Sequence, residues 1–123
     1  MTKNEKKMVE FMRVKLSTNP TWARRGLIRI FENQTEYEQS AETVSEFNGI
    51  GFTKSDGQLL TSFANQLSNR GFLSPKQMNI LFRRMPKYAG QLFETKTDKA
   101  HLLEIMEREG VTIIDEDNTK EAV

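Results

Sequence analysis

The sequence has no cysteine and only one histidine in 123 residues, and each scarcity narrows the chemistry. Without thiols the chain can form neither a structural disulfide nor a thiolate zinc site, which fits a reducing cytoplasm. Histidine-based nucleophilic or general-base machinery would have to use His101, and no serine or carboxylate pattern near it supports that role. His101 therefore reads as a solvent-facing or partly packed side chain. Long apolar runs are lacking too: nothing approaches a membrane span, and the charged start MTKNEKKMVEFMRVKL does not read as a signal peptide. The expectation is a soluble cytoplasmic protein with no membrane association, no cofactor, no metal and no enzymatic activity.

A strong charge excess is also missing, since the formal net charge is +1. Its distribution is nevertheless uneven. Residues 1–30 carry eight basic and two acidic side chains, residues 31–69 one and six, residues 70–93 five and none, and residues 94–123 four and nine. Such alternating blocks either neutralise one another in the fold or bring the two basic blocks onto one face. The sequence leaves both open.

Proline is rare, with three in the chain, so each one marks a boundary. Ser55–Phe93 holds the clearest signals. A helix is expected to start near Thr53 or Ser55, with Asp56 favouring its positive end. Leu60, Phe63, Ala64 and Leu67 form its apolar face, Gly71 ends it, and Phe72 and Leu73 fold back over that end. Ser74 followed by Pro75 is a cap and a first helical residue, so a second helix begins there with Met78, Leu81, Phe82 and Met85 inward. Pro86 removes a backbone donor and should kink or break it, leaving a short third piece over Lys87–Phe93. The result is a helix-turn-helix-like corner.

Upstream, residues 3–16 form a helix with Met8, Val9, Met12 and Leu16 on one side. Asn19 and Pro20 cap and start the longest helix, which runs to about Ala41, with a helix crossing expected at Gly26. Residues 43–54 break the helical period. Asn48-Gly49 suits a tight turn there, and Val44, Phe47, Ile50 and Phe52 should anchor a hairpin or ordered connection. The spacing of Gly49 and Gly51 matches neither the dinucleotide fingerprint nor the nucleotide-binding loop, so a turn and core anchor is the reading there. Downstream, Thr97 caps a last helix carrying Leu102, Leu103 and Met106, Gly110 ends it, and Val111–Ile114 is a short β-branched run. The fold expected is mostly α: one domain over 1–114 with five to six helices and at most one or two short extended segments. A flexible acidic tail covers 115–123. Asp115, Glu116 and Asp117 lack the spacing of a calcium loop, and Asn33-Gln34-Thr35 is a glycosylation acceptor in form only.

Three segments in this order, TWARRGLIRIFENQTEYEQ, FNGIGF and LSPKQMNILFRRMPKYAGQL, resemble a group of small, mostly uncharacterised proteins of bacteriophages and plasmid-like elements. The resemblance covers residues 20–93. It implies a phage or mobile-element origin and a bacterial host cytoplasm, and it carries over no catalytic residue.

The leading functional candidate is the basic corner. Arg70, Lys76, Arg83, Arg84 and Lys87, with the polar Gln77 and Asn79 at a helix start, have the residue types that contact phosphates and base edges. Trp22 with Arg24, Arg25 and Arg29 forms a second aromatic and basic patch suited to stacking or backbone contact. The first expectation is thus an accessory protein that binds DNA or RNA. The alternative is a module or inhibitor that engages a host or phage protein through acidic surfaces such as Glu32, Glu36 and Glu46. Self-association through Met8 and Met12 is a variant of it.

Overall fold

The computed structural model describes residues 1–40 and 49–111, except for the side chains of residues 39 and 40. Six helices follow one another: α1 (Lys3–Thr18), α2 (Pro20–Ser40), α3 (Gly57–Arg70), α4 (Pro75–Arg84), α5 (Ala89–Lys96) and α6 (Lys99–Arg108). A 3₁₀ turn, Met85–Tyr88, joins α4 to α5. No strand occurs among the described residues. The expected anchors Val44 and Phe47, the residues 112–114 of the β-branched run and the acidic tail all lie outside them.

Local chemistry sets the helix ends. Thr2 and Glu5 form a capping box at α1, and Ser74 and Gln77 form another at α4 with Pro75 in the first turn, each satisfying two amides that have no intrahelical acceptor. Asn19 accepts from the amides of Thr21 and Trp22 at 3.0 and 3.2 Å. Gly71 closes α3 at φ +82°, its amide donating to the Leu67 carbonyl. Pro86 does not end the helical path. It tightens that path into the 3₁₀ turn, because the proline has no amide hydrogen to give the preceding turn.

Two termini differ from expectation. α3 starts at Gly57, because Asp56 makes no side-chain cap and turns its carboxylate elsewhere. Asp98, not Thr97, caps α6 by accepting from the His101 amide, while the Thr97 hydroxyl donates to the Leu92 carbonyl.

α1 and α2 form the spine: α3 packs on α2, α6 on α1, and α4, the 3₁₀ turn and α5 on both. Leu16, Leu27, Leu60, Leu81, Met85, Phe93 and Met106 are among the side chains fully buried there. Met8 and Met12 are buried in the same core, so they pack internally and present no surface for self-association. Gly26 lies where α2 crosses its neighbours. A Cβ there would stand 2.8 Å from the Leu16 side chain and 3.1 Å from that of Met85, so the missing side chain lets these core residues pack onto the α2 backbone.

Candidate functional site

The corner formed by α3, the turn at residues 71–74, α4 and the 3₁₀ turn is organised by Asp56. This carboxylate is 0% exposed. Its Oδ1 accepts from Arg84 Nη1 at 2.7 Å, and its Oδ2 accepts from Lys87 Nζ at 2.7 Å and Tyr88 OH at 2.6 Å. Burial pushes the carboxyl pKa up, but the hydrogen bonds from Lys87, Tyr88 and Arg84 outweigh it and hold it below the usual range. Tyr88 is pushed up to about 12, first by burial and then by the carboxylate it faces. Two cations, one carboxylate and one phenol thus form a fully partnered cluster whose charges reach the surface only through the arginine and lysine.

The Tyr88 hydroxyl also accepts from the Thr53 amide at 3.0 Å. Neighbouring amides are held by side chains as well: Gly51 N–H by Gln91 at 2.7 Å and Phe52 N–H by Gln34 at 3.2 Å. Gln91 Nε2 returns a bond to the Gly51 carbonyl at 3.0 Å. Asn33, 4% exposed, donates to Gln91 and Thr95, so the formal glycosylation acceptor is an internal clasp. The Gly51 amide cannot cradle a phosphate, since Gln91 occupies it. Gly51 itself sits at φ +81°, with Gln34 backbone 3.0 Å from where its Cβ would be.

Four of the site residues read from sequence have other work. Arg84 and Lys87 are anchored on Asp56, although each side chain stays 41% exposed. Gln77 is not free to read a base: its Oε1 accepts from the Ser74 amide and from Gln66, and its Nε2 donates back to Gln66 at 2.8 Å. Trp22 is half-buried and packs edge-on against Phe11 with ring centroids 6.0 Å apart, so it is no open stacking platform.

The others remain outward. Arg70, Lys76, Asn79 and Arg83 are all exposed, and Lys76, Asn79 and Arg83 follow at i, i+3 and i+7 along one face of α4. Among the described residues no ion pair ties Arg70, Lys76 or Arg83. Phe72, expected to fold back, is 56% exposed in the turn between Arg70 and Lys76, while Leu73 alone is buried there.

Arg25 and Arg29 line a cleft of about 220 Å³ with Trp22, His101 and Leu102. Arg24, Arg25 and Ile28 also border a shallow depression next to Leu67. That depression places the basic segment of α2, together with Glu32, beside the C-terminal part of α3. On the acidic side, Glu36 pairs with Lys96 at 3.2 Å and Glu32 lies 3.9 Å from it, so that face is partly neutralised from within; Glu46 is outside the described residues.

Sequence reasoning missed Asp56 and Phe72 as functional positions. A signal existed for the first, because Asp56 is the only acidic residue between Glu46 and Glu94, a stretch that holds six basic ones. Among the described residues no cluster of three metal-ligating side chains occurs, and no helix is long and apolar enough to cross a membrane. Compared with known proteins, the chain matches no family model, no curated protein and no solved structure.

Proposed function

We propose that this protein binds nucleic acid through the outward face of α4 and the turn before it, as an accessory protein of a bacteriophage or mobile element. The observation that carries the reading is the exposed stripe Lys76, Asn79 and Arg83, continued by Arg70, in a segment without any carboxylate from residue 70 to residue 93. Lysine and arginine on such a stripe neutralise phosphates and release condensed counterions. Phe72, projecting between Arg70 and Lys76, supplies a ring on which an unpaired base can stack. Arg84 and Lys87 add positive field at the edge while staying bound to Asp56. The corner thereby combines a rigid cationic frame with one exposed aromatic.

Fluorescence anisotropy with labelled single-stranded and duplex DNA and RNA, titrated at several salt concentrations, tests this. Three phosphate contacts give a log–log salt slope of about −3 on duplex and about −2 on a single strand. Lys76→Gln with Arg83→Gln should remove most of the binding and most of the slope. Arg84 is the wrong control, because losing it leaves Oδ1 of the buried Asp56 without its charged partner and perturbs the fold. Binding indifferent to salt, or unchanged in the Lys76 and Arg83 variant, would refute the proposal.

A further inference from the structure

We infer that the cleft between α2 and α6 binds a small anion built on a single ring, a carboxylate or phosphate attached to an aromatic body. This site is distinct from the α4 surface and does not depend on its function. The floor is apolar, with Leu16 and Leu92 at its base and Gly26, which brings no side chain, in its wall. The rim is polar, its cations being Arg25 and Arg29, one turn apart on α2; His101 of α6 completes it, with Nδ1 facing Glu104 Oε2 at 3.7 Å.

Arg29 is fixed by a 2.9 Å bond from Nη1 to the Lys96 carbonyl, which leaves further guanidinium donors for a ligand. Arg25 forms no ion pair with any described residue. The one acid in the lining is Asp98, and its Oδ1 is engaged by the His101 amide at 3.2 Å. Two guanidinium groups beside a buried apolar floor favour a planar anion, because arginine pairs with carboxylate or phosphate through two parallel bonds. The volume of about 220 Å³ falls below that of sites for drug-sized ligands. It suits one ring with its anionic group.

The chain carries its own reporters, since its single tryptophan and single histidine both line this cleft. Phenyl phosphate and benzoate are titrated against the full chain, with benzyl alcohol as the uncharged counterpart. Trp22 emission and the ring-proton shifts of His101 are followed together. The expected result is a saturable change in both signals with one midpoint at or below about 1 mM, at least tenfold weaker for benzyl alcohol and at least tenfold weaker in Arg25→Gln. Arg25 is exposed, so that variant keeps its helical circular dichroism. The inference is overturned if neither anion saturates the signals, if benzyl alcohol does as well as the anions, if only one reporter moves, or if Arg25→Gln leaves the midpoint unchanged.

Discussion

Two kinds of ion pair hold this molecule, and they differ in burial more than in distance. At the corner, the buried Asp56 carboxylate takes bonds of 2.7 Å from Arg84 and Lys87. At the far side, α6 and its end are tied to α1 by Lys99 with Glu5 at 3.2 Å and by Lys15 with Glu109. The first carboxylate has left water entirely. The second set keeps much of its hydration, with Glu5 at 28% and Glu109 at 40% side-chain exposure. A desolvated charge depends on its partners, while an exposed one can return to solvent when a partner is lost. The corner is therefore electrostatically committed, and the α6 edge is not.

The largest effect should come from stranding the buried charge. Arg84→Gln with Lys87→Gln is expected to lower stability by about 3–5 kcal/mol in urea unfolding. Asp56→Asn should cost less, about 1–3 kcal/mol, because the two freed cations reach water. An Asp56→Asn loss larger than that of the double variant would reverse the assignment of which partner is trapped.

The next largest effects are set by pH. Tyr88 has a folded pKa raised to about 12, so its contribution is complete below pH 10, the ordinary tyrosine range, and is lost as pH rises to about 12. Two pKa units correspond to about 3 kcal/mol. Asp56 has the opposite sign: its lowered pKa gives stability present above the ordinary carboxyl range and lost as pH falls through the folded value. Stability measured against pH should thus fall at both extremes, and Asp56→Asn should flatten much of the acid limb. An unchanged acid limb in that variant would place the titration on other carboxylates.

Whether charge alone fixes the corner is tested at Gly51. Gly51→Ala meets both a positive φ and the Gln34 backbone, and should cost about 2 kcal/mol or more by thermal unfolding. A neutral result would mean that the bonds from Gln34 and Gln91 to the Phe52 and Gly51 amides yield easily and that Asp56 orders the loop without them.

Smaller effects belong to the α6 edge and the open stripe. Glu109→Ala should cost under about 1 kcal/mol, with the loss shrinking in high salt, whereas Glu5→Ala also removes the capping-box bond to the Thr2 amide, a loss that salt leaves in place. Lys76→Gln with Arg83→Gln should leave stability within about 0.5 kcal/mol while weakening nucleic-acid binding. Phe72→Ala should likewise spare the fold and reduce single-strand binding by about 1–3 kcal/mol. Equal losses on duplex and single strand would remove the stacking role and leave the cations.

Much of the fold was legible because its signals are local. Ser74-Pro75, Asn19-Pro20 and Gly71 act through the backbone groups of their own turn, so their consequences needed no tertiary knowledge. The apolar faces of α1 and α3 were legible for a similar reason: helical spacing alone brings Met8, Met12 and Leu16 to one side. Phe72 folds outward because the αL end at Gly71, closed by the single bond from its amide to the Leu67 carbonyl, requires only one apolar neighbour to cover it, and Leu73 fills that role.

The candidate site was less legible, because the same residue types serve binding and structure. Nothing near Arg84 in sequence distinguishes it from Arg83, its immediate neighbour. A helix turns 100° per residue, so one points to Asp56 across 28 positions of chain and the other to solvent. The sequence by itself determined the helices, most of their ends and the inward stripes, since these follow from caps, prolines and period within a few residues. Only the tertiary structure decided which cations are anchored and which are open, because burial of a carboxylate and its choice of partners depend on packing between segments far apart in the chain.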